Sequence, residues 1–438
     1  MELKGGEPVR AVSLFVLSIK VHRINLLISW YSISWALMKV LAIARLIIYV
    51  TMVVIGIAIG YAMGASTAPS PKALTITMPG ATSTVTVREV AAKTLTITAS
   101  PAPLGIRGEI LLGALLPITG ELSVLSTRSR VAVEIAIYDL NSYVKALGLP
   151  ITFRLLVEDS ATDPTTALNK LQSLYARGVR AVVGPMASAE VRNVKSYADG
   201  NKIVMCSPSS TAPDLAVPDY IFRDIPNDRY QGRAIARLMY DYGIRYVYIL
   251  YRNDAWGKGL ADATEARFKE IGGTVLANAG YDPKKSDFTP YLGAAASTIR
   301  DAIGKYGASK VGVLLLSFEE GGAITAQASG YPELMSVTWF GSDGTALNSK
   351  ILEQAGAQLA KVKHLTTMYS PTASPKLLDF VDKFRSRAGE YPDAFSVNAY
   401  DCVWMLGLTI IYTGKYDGEA IKNALPHIAN RGIRLGLA

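Results

Sequence analysis

From Gly108 onward the sequence alternates short apolar runs with longer segments of helical period, and this alternation restricts the fold more than any other feature. "EILLGALLP" is a continuous apolar strand, and "RSRVAVEIAIYDLNSYV" after it has a helical period that predicts a buried face through Val131, Ile135 and Tyr138. "ITFRLLVED" is a second strand. "DPTTALNKLQSLYARG" is a helix with Pro164 near its start and Gly178 at its end. The pattern repeats through the strands "VRAVVG", "KIVMC", "YVYILYR", "TVLANAGY", "KVGVLLLS" and "SVTWFG", with helices between them, including ones near 288–306 and 320–329. Apolar strands alternating with helices predict parallel sheets covered by helices on both faces, the α/β class. About six such units exceed one compact doubly wound domain, so two doubly wound parallel-sheet lobes joined by a hinge are expected.

The first hundred residues are of another kind. Leu46 to Met63, "LIIYVTMVVIGIAIGYAM", has no charge and approaches bilayer-spanning length. Lys39 and Arg45 precede it and no charge follows until Lys72, which places the bulk of the chain outside the cytoplasm. Residues 1–64 are therefore expected to form a signal or membrane anchor, with Met38 of "MKVLAIARLIIYV" as the true start. Residues 65–106, rich in Thr, Ser, Ala and Pro, read as an extended tether with room for short strands.

Charge and composition exclude several functions. Residues 1–104 hold 9 Lys+Arg against 3 Asp+Glu, so most of the net charge of +9 sits at the N-terminus. The nearly balanced remainder argues against nucleic acid as a partner. Two cysteines, Cys206 and Cys402, and three histidines form no cluster of metal-ligand spacing, so no metal and no cofactor is expected. The cysteines read as small buried hydrophobes, with a disulfide between them as the alternative in an oxidising compartment. Phosphate-binding, nucleophile-elbow and HExxH motifs are absent, which argues against an enzyme.

Ligands of parallel α/β sheets bind beyond the carboxyl ends of the strands, so the segments there are the candidates. "GPMAS" brings Ser188 to a helix start, where a helix cap is its simplest role. "SPSSTAP" places further hydroxyls at the next strand end. Together the two loops predict N–H groups and hydroxyls converging on a carboxylate. Asp343 in "GSDG" is read either as a turn residue or as a carboxylate facing an ammonium. Trp256 in "NDAWGKG" is read as a lid over a ligand rather than as packing. Glu319 and Glu320 in "FEEGG" are read as a solvated face.

The stretches "IAIYDLN", "EDSATDP", "VVGPMAS", "SPSSTAPDL", "DAWGKGLADA", "FGSDG" and "FSVNAYDCVWML" occur in an order that resembles the branched-chain amino-acid-binding proteins of ABC transporters, with the type I periplasmic binding fold. The resemblance covers some three hundred residues. It implies that Ser188, Ser209 and Thr211, with Met186 and Ala187 beside them, bind the carboxylate and ammonium of an amino acid. It implies an aromatic at Trp256, an acid at Asp343 and an aromatic near Ser317 or Phe318 from the second lobe. Leu125 falls where many members of the family have Tyr. The expected lobes are 107–229 with 367–438, and 230–366. The family normally returns a last strand to the second lobe, and this chain looks truncated at "NRGIRLGLA". The implied function is an extracytoplasmic solute receptor that closes on a small amino acid and docks on a membrane permease. A sensing ectodomain, a receptor for amides or urea, and an α/β enzyme are the alternatives.

Overall fold

The computed structural model describes residues 73–78, 81–86 and 105–431. The expected membrane segment, the expected start at Met38 and the last seven residues of the chain lie outside them. Among residues 65–106, β1 (Ala73–Met78) pairs antiparallel with β2 (Ala81–Thr86).

The body of the protein is built on two five-stranded parallel sheets, and the alternation read from the sequence is realised in both. The first sheet contains β3 (Gly108–Leu116), β4 (Ile151–Asp159), β5 (Ala181–Val183), β6 (Val204–Ser207) and β7 (Ile221–Arg223), in the order β4-β3-β5-β6-β7. Strand β3 is nearly continuous in apolar residues because helices cover both of its faces. Leu112, Ala114, Leu115 and Leu116 are all fully buried. Helices α1 (Ser123–Ala146), α2 (Pro164–Ala176) and α3 (Ser188–Gly200) make the crossovers. Asp163 caps α2 through Thr166 N–H.

The second sheet has the order β12-β11-β10-β8-β9. Its strands are β8 (Tyr246–Arg252), β9 (Thr274–Tyr281), β10 (Val311–Leu316), β11 (Thr338–Gly341) and β12 (Leu365–Thr366). Its helices are α4 (Asp228–Asp241), α5 (Ala255–Glu270), α6 (Thr289–Tyr306), α7 (Gly321–Ala328) and α8 (Ser349–Lys361). After β12 the chain returns to the first sheet as α9 (Pro375–Ala388), α10 (Ala394–Thr413) and α11 (Gly418–Arg431). Helix α10 is apolar enough to cross a membrane, but it packs on α1 with most of its length buried, so it is a core helix.

Two expectations change here. Cys206 at the end of β6 and Cys402 in α10 are joined as a disulfide, with Cα atoms 5.6 Å apart, so they are not free buried thiols. Tyr138 is 72% exposed. The buried face of α1 runs instead through Ala132, Ile135, Ala136 and Leu140, where α10 packs against it.

In each sheet the first strand has its successors on opposite sides, β4 and β5 around β3, then β9 and β10 around β8. A crevice opens at such a reversal, beyond the carboxyl ends of the strands. The two sheets turn these ends toward one another, and the loops there meet in a shared cleft.

Candidate functional site

The wall of the cleft on the first sheet is made by the loops after β5 and β6. Gly184 opens the first loop at φ +98, and a Cβ there would fall 2.1 Å from Leu115 O, so only glycine lets the loop turn this close to β3. Side-chain hydroxyls then join the two loops. Ser207 Oγ donates to Pro185 O (2.5 Å), Ser209 Oγ donates to Met186 O (2.8 Å), and Ser188 Oγ and Ser210 Oγ share a hydrogen bond of 2.9 Å. Ala212 N–H donates to Ser188 Oγ at 3.2 Å. Ser188 is therefore the first residue of α3 and not its cap. The cap position is Ala187, whose N–H donates to Glu190 Oε2 (3.0 Å). With the hydroxyls occupied in holding the loops together, the recognition groups left at this wall are the N–H groups of the first turn of α3, which have no acceptor within the helix. They carry the positive end of the helix dipole toward the cleft.

The opposite wall is aromatic and acidic. Trp256 and Phe318 stack with ring centroids 4.5 Å apart, and Arg252 lies 4.4 Å over the Phe318 ring. Arg252 is buried and is neutralised by Asp254 (2.6 Å) and Glu320 (2.9 Å). It therefore fixes the aromatic pair without presenting a free charge. Asp254 also caps α5 through the N–H groups of Trp256 and Gly257, which sets the position of the indole. Gly344 packs under it, since a Cβ at that position would come 2.7 Å from the Trp256 ring.

Asp343 completes this wall. Burial raises its pKa, and among the described residues its Oδ1 has no hydrogen-bond partner. Asp228, at the first turn of α4, is fully buried, and its pKa is raised by burial and then by the charge of Asp343. Its Oδ1 is also without a partner. Two desolvated carboxylates that each raise the cost of ionising the other form a site that favours a cationic group between or beside them.

These loops enclose a cavity of about 30 Å³, lined by Met186, Ala187, Ser188, Ser209, Trp256, Phe318 and Asp343 together with Leu122, Leu125, Gly344 and Phe395. Seven of the nine residues expected from the sequence thus meet at one cavity. Thr211 and Ser317 do not line it. Thr211 Oγ1 donates to Asp228 Oδ2 (2.9 Å) behind the wall, and Ser317 is buried beneath Gly321. Glu319 and Glu320 do not form a solvated face. Glu320 pairs with buried Arg252, and Glu319 reaches across to the first lobe. Asp228 and Arg252 were not singled out from the sequence. The one available sign was that an Arg closing the apolar strand "YVYILYR" needs a buried counter-charge.

Residues 109–431 match the family model described as periplasmic binding protein. The chain belongs to the periplasmic binding protein family. Relatives of this periplasmic binding protein include an uncharacterised protein of Methanocaldococcus jannaschii, 33% identical over 72% of this chain and 77% of that one. They also include the Leu/Ile/Val-binding protein BraC3 of Rhizobium johnstonii, 27% identical over 76% of this chain and 87% of its own. Among solved structures, the leucine-binding protein LivK of Thermotoga maritima superposes with a TM-score of 0.61 at 23% identity, covering 72% of this chain and 87% of that one. LivJ of Streptococcus pneumoniae, solved with isoleucine, gives 0.59 at 22% identity, over 73% and 88%. The fold is that of type I periplasmic binding proteins. The family is one of extracytoplasmic solute-binding proteins rather than enzymes.

Proposed function

We propose that this periplasmic binding protein is the receptor of an ABC importer for a branched-chain or other small amino acid, bound between the lobes by hinge closure. The observation that carries the reading is the opposition, across one apolar cavity, of the α3 N-terminus and the desolvated carboxylate of Asp343. The first suits an α-carboxylate and the second an α-ammonium. Leu122, Leu125, Met186, Phe318 and Phe395 leave only apolar surface for the side chain. The lobes are read as 107–229 with 367–438, and 230–366.

Ser188, Ser209, Met186 and Ala187 form the carboxylate side of this reading. Thr211 acts on the ammonium side, through Asp228, and Ser317 adjoins Phe318. Trp256 and Phe318 cover the ligand. Hinge motion is supported by the tightness of the closed cavity, which at about 30 Å³ has room for about two water molecules. Trp256 is only 4% exposed and Asp343 5%. A ligand the size of leucine enters only when the lobes separate, and closure then completes its contacts. A membrane permease is the partner of the closed form, and the N-terminal segment is the tether to the membrane.

Calorimetric titration of the protein with leucine, isoleucine, valine and alanine, and with acetamide and urea, tests the reading. Saturable binding of an amino acid supports it. Binding of acetamide or urea with no response to any amino acid overturns it.

A further inference from the structure

Arg252 of the second lobe carries one positive charge and meets three carboxylates. Asp254 (2.6 Å) and Glu320 (2.9 Å) belong to its own lobe. The third is Glu121 of the first lobe, whose Oε2 lies 3.7 Å from Arg252 Nη2 across the seam of the cleft. We infer that Glu121 is a positioning residue for the ligand, and that the lobes close with uptake of a proton at this contact, so that acid favours the closed form. This role rests on the hinge motion proposed above.

Glu121 is fixed to the first lobe. Gly120 before it has φ +85, and a Cβ there would fall 2.3 Å from Ala161 O in the loop after β4. On either side of Glu121, Thr119 Oγ1 donates to Asp159 Oδ2 (2.8 Å) and Leu122 N–H donates to Thr162 Oγ1 (3.2 Å). The carboxylate therefore moves with the first sheet and reaches Arg252 when the lobes approach. Glu121 acts on the ligand through its neighbours. Leu122 lines the cavity, and Arg252 lies over Phe318, which stacks on Trp256. The contact thus ties the first lobe to the aromatic pair of the opposite wall.

The charged groups facing Glu121 are Arg252 at the end of β8, Asp254 before α5 and Glu320 before α7. Tyr281 of β9 donates to Glu320 Oε1 (2.7 Å), and Lys350 of α8 is paired with Glu319 (2.9 Å). Three carboxylates against one guanidinium leave an excess of negative charge. Arg252 is 6% exposed, so water screens that excess poorly. Burial raises the Glu121 pKa above its ordinary value of 4.5, Arg252 works against this, and Glu320 and then Asp254 add to it. Its side chain is 34% exposed, within reach of water as a proton source. In an open cleft Glu121 loses these partners and its pKa returns toward 4.5. A carboxyl whose pKa is higher in the closed form binds more protons there. Its contribution to closure is present below 4.5 and is lost as pH rises through the closed-form value. Asp343, with a pKa of about 6, acts in the opposite direction, because its protonation removes the charge that would face an ammonium. Comparison with a Glu121 variant cancels that effect.

Calorimetric titration of the whole chain and of Glu121→Gln with leucine, at about pH 4.5 and about pH 8, tests the role. Glu121→Gln has the shape of the protonated side chain and no charge at either pH. It is expected to bind leucine several-fold more tightly than the parent at the higher pH and nearly equally at the lower. A side chain needed only for packing would weaken binding by the same factor at both, and that result overturns the role, as does equal affinity of the two proteins throughout. Thermal melting at each pH checks that the variant folds. If neither protein responds to leucine, it is the amino-acid reading that fails, and ligand-free small-angle scattering then decides on Glu121. The radius of gyration of the parent should be smaller at the lower pH while that of the variant stays constant, and the same profile in both overturns the role.

Discussion

Glu319, beyond the end of β10 in the second lobe, accepts hydrogen bonds from Ser123 Oγ (3.2 Å) and Val124 N–H (3.3 Å) in the first turn of α1 in the first lobe. A carboxylate of one lobe thus sits at the positive end of a helix of the other. Lys350 Nζ braces the contact, 2.7 Å from Ser123 Oγ and 2.9 Å from Glu319 Oε2. On the proposed hinge motion, opening of the cleft breaks these contacts. Glu319→Ala is expected to cost the closed form about 1 kcal/mol. Small-angle scattering of the ligand-free variant should give a larger radius of gyration, and leucine should dissociate several-fold faster. Unchanged scattering and dissociation would show that closure is held elsewhere.

Asp343→Asn keeps the shape of the second wall and removes its charge. If the carboxylate meets an ammonium, leucine affinity falls by about 2–4 kcal/mol at neutral pH, the usual cost of breaking a buried charge pair. Equal affinity in variant and parent, measured by calorimetry, would sink the ammonium role.

Glu190 gives a pH signature independent of ligand. Burial pushes its pKa up to about 8, while its Oε2 accepts the Ala187 N–H at the cleft loop. A carboxyl whose folded pKa is raised contributes stability that is present in acid and lost as pH rises through that value. Thermal stability should therefore fall from about pH 5 to about pH 8 in the parent protein and level off above that. Glu190→Gln keeps an oxygen acceptor for Ala187 and has no proton to lose, so its melting curve should be flatter over this window. Parallel profiles for the two proteins would falsify the assignment.

The Cys206–Cys402 bridge spans 196 residues of sequence. It ties the strand leading into "SPSSTAP" to α10, and Asn398 Nδ2, one turn earlier in that helix, donates to Pro208 O at 3.0 Å. Replacing both cysteines by alanine should cost about 2–5 kcal/mol, read by denaturant unfolding. Reductant should lower the stability of the parent toward that of the variant and leave the variant unchanged. A parent insensitive to reductant would show that the bridge contributes nothing.

The parts of this molecule legible in the sequence were those set by local pattern. Strand ends follow from apolar runs, and in a parallel sheet strand ends locate the cleft. "GPMAS", "SPSSTAP", Trp256 and Asp343 could be found that way. Side-chain direction could not, because partners distant in sequence set it. Thr211 turns to Asp228, seventeen residues away, and not into the cavity. Ser188 looks like a cap by residue type, yet the cap position falls to Ala187 because Glu190 reaches back to it. Tyr138 keeps helical spacing with Ile135, but α10 arrives on the side of Ala136 and Leu140. The contact of Glu319 with Ser123 joins residues 196 positions apart, and no window of sequence contains both.

The bridge between Cys206 and Cys402 has one more consequence. The chain leaves the first sheet after β7 and returns only after β12, so the entire second lobe lies between the two bonded sulfurs. Covalently the molecule is a ring with two tails. A single protease cut within the second lobe would open that ring without releasing a fragment, and the two portions that build the first lobe would stay chained together. Nicked protein should run as one species until reductant separates it into two.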